Sequence, residues 1–186
     1  MSDVALLVID VQESFRHRPF WNDADVLPFT QRLQALIDGA AARQIPVLQV
    51  FHVAESGPFA IASGHVRTLE PIVIAPTATF HKRRHSALVE TGLSGWLTQH
   101  GIRRLIVSGI RTEQCCETTA RHASDSGWEV DYVTEATLTF AMTHPDGRRF
   151  SADDIKARTE LVLTDRFARI VTVDQALAGP DLPVAA

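Results

Sequence analysis

The sequence is almost without cysteine: 186 residues contain two, and they are neighbours, Cys115 and Cys116. Adjacent cysteines cannot staple distant segments. A disulfide framework is therefore excluded, and a reducing compartment with a reactive or buried thiol is indicated. There is no surplus of basic charge either. The formal net charge is -4 and the isoelectric point is near 6.0, whereas a nucleic-acid partner calls for a basic footprint. The densest basic cluster, Lys82-Arg83-Arg84, reads by itself as solvated surface. No apolar run approaches the roughly 18 residues that a bilayer-spanning helix requires. The start, Met-Ser-Asp and then an apolar run, lacks the basic residues and small-residue cleavage site of a signal peptide. The cytoplasm is the expected location, with neither membrane nor nucleic acid as partner. Internal repeats, low-complexity tracts and dividing linkers are missing too. What is present is 45% apolar residues in a length that suits one domain with its own core.

Val4 to Ile9 is a continuous apolar run that ends at Asp10. Unbroken apolar runs, rather than alternating ones, mark strands buried on both faces of a parallel sheet. A helical pattern follows over 26–43, with Leu33, Leu36, Ile37 and Ala40 on one face, and a second strand reads over 46–53. Further on, a helix over 89–100 is closed by Gly101 and a strand over 104–108 by Gly109. The pattern continues with a helix over 112–126 closed by Gly127, a strand over 128–133, a helix over 152–164 and a strand over 168–173. Such alternation predicts a single-domain, Rossmann-like three-layer α/β/α fold with a mostly parallel sheet. Residues 1–178 form the expected domain, and 179–186, with Gly179, Pro180 and Pro183, a flexible tail. Two segments carry no regular pattern. Residues 55–77, rich in glycine and proline, are expected as an irregular loop near the site, and 139–151 as a lid or an interface loop.

Open α/β sheets bind ligands at the carboxyl ends of their strands, and three residues stand at such ends. Asp10 directly follows the first apolar run, where a carboxylate is costly unless paired; taken alone, it also fits a cap or turn. Cys115 falls in the first turn of a helix for which Thr112 is a suitable N-cap. Unpaired N–H groups and the helix dipole there favour an anion, which lowers a thiol pKa. Helical spacing puts Thr112, Cys115 and Thr119 on one face and Cys116, Ala120 and Ala123 on another. The small residues of the second face suit close packing on the sheet, so Cys116 reads as buried and inert and Cys115 as reactive. Two ordinary buried thiols remain the alternative. Lys82 follows a short β-like stretch. Alone it reads as surface; beside a thiol and a carboxylate it acquires a catalytic role.

Together these residues resemble the isochorismatase-like cysteine hydrolases. Leu-Leu-Val-Ile-Asp-Val-Gln-Glu-Ser-Phe over 6–15 looks like their N-terminal motif, with an Asp and a following Gln. Lys82, followed by Ser86, Leu88, Thr91 and Leu93, looks like their lysine segment. Gly109-Ile-Arg-Thr-Glu-Gln-Cys115, with Thr119-Ala120-Arg121 downstream, looks like their Gly-x-x-Thr-x-x-Cys block. This register selects Cys115 over Cys116 independently of the helix faces. The resemblance implies a six-stranded parallel sheet, a Cys115–Asp10–Lys82 triad, and hydrolysis of a C–N bond through a thioester. It also implies a cis peptide between Ile110 and Arg111, an oxyanion hole from the Arg111 and Cys115 N–H groups, and a homo-oligomer, dimer or tetramer.

Departures refine the expectation. Nicotinamidases of this family hold a metal through an Asp-x-His arrangement after the second strand, where this chain has Val50-Phe51-His52. His52 is alone there, and His65, His81 and His85 lack a metal spacing, so no metal and no other cofactor is expected. Arg111 stands where the family often has a small or apolar residue; it fits either a substrate carboxylate or a solvent-facing position. The expected substrate is a small amide or ureide, against a pocket wall of Gln12, Phe15, Trp21, Phe59, Arg111 and Thr112. Two other readings fit the residues: hydrolysis of a vinyl ether with Asp10 as general acid and no use of the cysteine, and a non-enzymatic redox sensor built on Cys115 and Cys116.

Overall fold

A computed structural model describes residues 2–179. The tail expectation for 180–186 lies outside those residues. Six strands form one sheet in the order β3-β2-β1-β4-β5-β8, every neighbouring pair parallel. They are β1 (Val4–Ile9), β2 (Val47–His52), β3 (Ala78–Lys82), β4 (Arg104–Ile110), β5 (Glu129–Leu138) and β8 (Arg169–Ile170). The helices are α1 (Val26–Ala42), α2 (Leu93–Gln99), α3 (Glu117–Asp125), α4 (Ala152–Leu163) and α5 (Val173–Ala178).

The unbroken apolar run of β1 has its physical reason in two cores. Successive strand side chains point to opposite faces. Val4, Leu6 and Val8 pack with Phe29, Leu33 and Leu36 of α1 and Val173 of α5. Ala5, Leu7 and Ile9 pack with Leu93 and Leu97 of α2, with Cys116 just before α3, and with Ala120 and Ala123 of α3. The sheet is therefore covered on both faces, which gives the three layers. The small second face of α3 does lie against the sheet, and Cys116 is fully buried there.

Several boundaries differ from expectation. The helix read over 89–100 begins only at Leu93. Val89 to Thr91 instead form a turn tied by the Thr91 hydroxyl to the Ala87 carbonyl at 2.6 Å. The strand read over 128–133 runs on to Leu138, past a register jump in which Val107 pairs with Tyr132 but Gly109 with Thr137. The last strand is only Arg169–Ile170. Thr172 then opens α5 with a reciprocal Thr172–Gln175 capping box, missed although its Thr-x-x-Gln pattern is local. The 139–151 segment starts buried at Thr139 and Phe140 and continues as an exposed two-stranded hairpin, β6 (Met142–Thr143) with β7 (Arg149–Phe150). Gly109 is required where β4 meets β1: with φ at +130°, a Cβ there would stand 2.0 Å from the Ile9 carbonyl oxygen.

No helix among the described residues is long and apolar enough to cross a membrane.

Candidate active site

Three strand ends meet at one rim. Asp10 is the first residue past β1, Lys82 the last of β3, and Cys115 lies in a wide π-type turn, Thr112–Cys116, between β4 and α3. Asp10 has a φ of 54°, the left-handed conformation rare outside glycine but tolerated by Asp, and it turns the chain sharply as the strand ends. Asp10 and Lys82 are essentially unexposed, and Cys115 is 6% exposed.

The Lys82 ammonium is the hub. Its Nζ lies 2.7 Å from Asp10 Oδ2 and 3.2 Å from Cys115 Sγ, and donates to the Arg84 carbonyl and to His52 Nδ1, each at 3.1 Å. An ammonium can only donate. With three N–H groups for these four neighbours, one serves His52 only where its Nδ1 is the unprotonated, accepting nitrogen. Burial, then Lys82, lowers the His52 pKa to about 4, so the ring is neutral near pH 7.

Burial raises the Asp10 carboxyl above its ordinary value, opposed by Lys82. Burial presses Lys82 toward its neutral form, but Asp10 and Cys115 more than offset this and hold it above the ordinary lysine value. The Cys115 thiol is pushed up to about 12 by burial and by the Asp10 charge, against Lys82. This runs against the expected lowering at a helix start: loss of water and a neighbouring carboxylate raise the thiol more than Lys82 lowers it. The resting thiol keeps its proton, and a carboxylate waits beside it. Ligand atoms of Asp10, Cys115 and His52 all lie within 4.8 Å of one another.

These three groups are also the nearest thing to a metal-binding set. They do not fit one. The Lys82 ammonium touches all three, so a metal ion would meet a like charge at contact distance. Val50 supplies no ligand where the nicotinamidase arrangement has Asp.

The cavity in front of the thiol has a volume of about 570 Å³ and contains Phe15, Phe59, Arg111 and Cys115 in its lining, as expected. Loop residues Ser56 to Phe59 form one wall, so part of the irregular 55–77 segment does border the site. Three expected wall residues are elsewhere. Gln12 is fully buried and clips two strand ends together: its Oε1 accepts from the His52 N–H at 2.8 Å, and its Nε2 donates to Ser14 and the His52 carbonyl. Trp21 packs on Phe140 and donates to Asp23, outside the cavity. Thr112 is buried; its hydroxyl pairs with Thr137 at 2.8 Å and caps nothing. Its carbonyl accepts from the Tyr132 hydroxyl at 2.7 Å, which fixes the cysteine turn from below. In each case the polar group near the site is already engaged within the protein: Gln12 by backbone, Trp21 and Thr112 by other side chains.

Conversely, Arg18, Phe20, His85 and Gln114 line the cavity without having been assigned to it, and His52, which reads from sequence as core or pocket lining rather than as a ligand, lines it too. His85 Nδ1 lies 3.8 Å from Cys115 Sγ. His52 ends a strand, and that position was the available signal; the others depend on loop paths. Arg111 does not face solvent. It is 7% exposed, lines the cavity and pairs with Glu113 at 2.8 Å. The Ile110–Arg111 peptide is cis.

Comparison with known proteins places this geometry in context. The isochorismatase domain model matches residues 4–175. Nicotinamidase 3 from Arabidopsis thaliana is 30% identical over 73% of this chain and 73% of its own length. Streptothricin hydrolase from Streptomyces noursei is 28% identical over 95% of this chain and 62% of its own. A crystal structure from Burkholderia xenovorans LB400, provisionally classed as an isochorismatase, superposes with a TM-score of 0.85 at 31% identity, covering 95% of this chain and 86% of that one.

Proposed function

The chain belongs to the isochorismatase family of hydrolases, and we propose that within it the protein is a cysteine-dependent hydrolase of a small amide or ureide C–N bond. The observation that carries this reading is the convergence of Asp10, Lys82 and Cys115, with Lys82 Nζ at 2.7 Å from the carboxylate and 3.2 Å from the sulfur. The names of the nicotinamidase and streptothricin hydrolase relatives add support for amide chemistry. One catalytic domain, 1–178, carries the reaction, acting on a small molecule without a metal or other cofactor; a homo-oligomer and a cytoplasmic setting belong to the same proposal.

Asp10 takes the thiol proton as Cys115 Sγ attacks the substrate carbonyl carbon. The carbonyl oxygen becomes an oxyanion, held by the Arg111 and Cys115 backbone N–H groups. The C–N bond breaks, the electron pair leaves on nitrogen, and Asp10 returns the proton to it. A water deprotonated by Asp10 then attacks the thioester, and the acid departs as Cys115 recovers its proton. Throughout, Lys82 keeps its charge and balances whichever partner is anionic. The test is intact-mass detection of an acyl adduct on Cys115 with a panel of amides and ureides, alongside Cys115→Ala. Full turnover by that variant on the true substrate would sink the mechanism.

A second reading draws on the raised Asp10 carboxyl, which also suits a general acid toward a vinyl ether. Activity that survives Cys115→Ala but is lost in Asp10→Asn would select it.

A further inference from the structure

The cavity lining is unbalanced in charge. It holds two guanidinium groups, Arg18 and Arg111, and two imidazoles, while its one carboxylate, Asp10, is neutralised by Lys82 from behind. Both guanidinium groups converge on one ring. Arg111 lies 4.8 Å from the Phe20 centroid and 5.9 Å from that of Phe140; Arg18 lies 5.7 Å from the Phe20 centroid. Such stacking fixes the planes of the cations. Glu113 engages only one edge of Arg111, at Nη2, and is itself anchored by the Thr139 hydroxyl at 2.5 Å. The Arg111 Nε has no hydrogen-bond partner among the described residues, although the side chain is buried. A buried donor without an acceptor is costly and uncommon. Arg18 is exposed and has no ion-pair partner among the described residues. Two like charges lie against one aromatic ring, and the one counter-ion, Glu113, is paired with Arg111.

We infer that the substrate is an anion: a small amide or ureide that also bears a carboxylate, held between Arg18 and Arg111 while its scissile carbonyl meets Cys115. A planar carboxylate matches the guanidinium fork, and Phe15 and Phe59, in edge-to-face contact at 5.1 Å, offer an apolar wall for the part between. The scissile bond rests on the hydrolase reading; the anion site does not.

Iodoacetate and iodoacetamide test the site without knowledge of the substrate, since they differ little except in charge and both alkylate a thiol. Their rates at Cys115 are read by peptide mass mapping, in the folded protein and in the same protein unfolded in denaturant. The iodoacetate-to-iodoacetamide ratio is expected to be about tenfold higher in the folded protein, the size of one unscreened cation at close range. Arg18→Gln, a change at an exposed residue, is expected to remove most of that gain, and Arg111→Lys to reduce it. A ratio equal to that of the unfolded chain, or one indifferent to Arg18→Gln, overturns the inference. Should folded Cys115 take neither reagent, the thiol's role as nucleophile is what fails. Calorimetric binding of benzoate against benzamide to Cys115→Ala then decides the anion site: a benzoate preference lost in Arg18→Gln supports it, and equal binding overturns it.

Discussion

Asp10 and Asp131 are both fully buried carboxylates on the same sheet, and burial raises the pKa of each. Their surroundings differ. Asp131 lies near the start of β5, opposite Ile106 on one side and Arg169 on the other. Arg169 reaches one of its oxygens at 2.7 Å, and Arg104 Nε stands 3.8 Å from the other. It has two dedicated cations, although its Oδ2 makes no hydrogen bond among the described residues. Asp10 sits at the opposite rim, in a left-handed turn, with one cation that it must share with a thiol and an imidazole. Its Oδ1 has no hydrogen-bond partner among the described residues, and it opens on a cavity. A buried charge supplied with its own counter-ions is architecture. A buried charge that shares its one cation with a nucleophile is poised to change its protonation.

The sharpest way to break that contrast is to remove the groups on each side of it. Cys115→Ala should lower kcat/KM by on the order of 10⁴-fold while the thermal midpoint stays near the wild type. Asp10→Asn, which keeps the shape and removes the base, should cost about 10³-fold in the same measurement. Asp131→Ala should behave oppositely. It strands two guanidinium groups at the far rim, so unfolding in urea should show a loss of about 3 kcal/mol, with activity per folded molecule unchanged. A catalytic defect in Asp131→Ala, or a purely structural one in Asp10→Asn, would remove the distinction drawn here.

Proton linkage gives a finer measure. Asp10 must be ionised to accept the thiol proton, and it is held above the ordinary value of 3.8. Activity should therefore fall as pH drops through a value above 3.8, in the acid limb of the kcat/KM profile. Lys82 opposes the effect of burial on Asp10, so Lys82→Met should move that limb further up, by about one pH unit. A limb that stays put would mean that Lys82 does not set the carboxylate's charge. The two active-site variants and the pH profile need the true substrate or a slow surrogate; the urea experiment needs neither.

Local pattern carried the elements whose cause is local. The apolar run of β1 announced burial on both faces, and the capping box of Ser151 with Asp154 starts α4 where its periodicity begins. The motif register and the helix faces agreed on Cys115, and both set Cys116 aside. Local pattern failed where long-range contacts decide. Thr112 looks like a helix cap because its neighbours in sequence are helical; its hydroxyl is instead claimed by Thr137, 25 residues away. Gln12 looks free to meet a substrate, but both ends of its amide are used by the end of β2, 40 residues on. The lowered thiol pKa expected of a helix start depended on solvent access that the fold denies.

By itself, then, the sequence determined a doubly wound sheet, because strand burial is written in short runs; it marked three residues at strand ends, and the resemblance to a family implied their joint role. Only the tertiary structure decided what those residues feel and face. It gathered four polar neighbours around the Lys82 ammonium and turned Arg111 inward against Phe20. Charge states and pocket walls arise from segments far apart in the chain. Their energies depend on distance and loss of water, which no local pattern records.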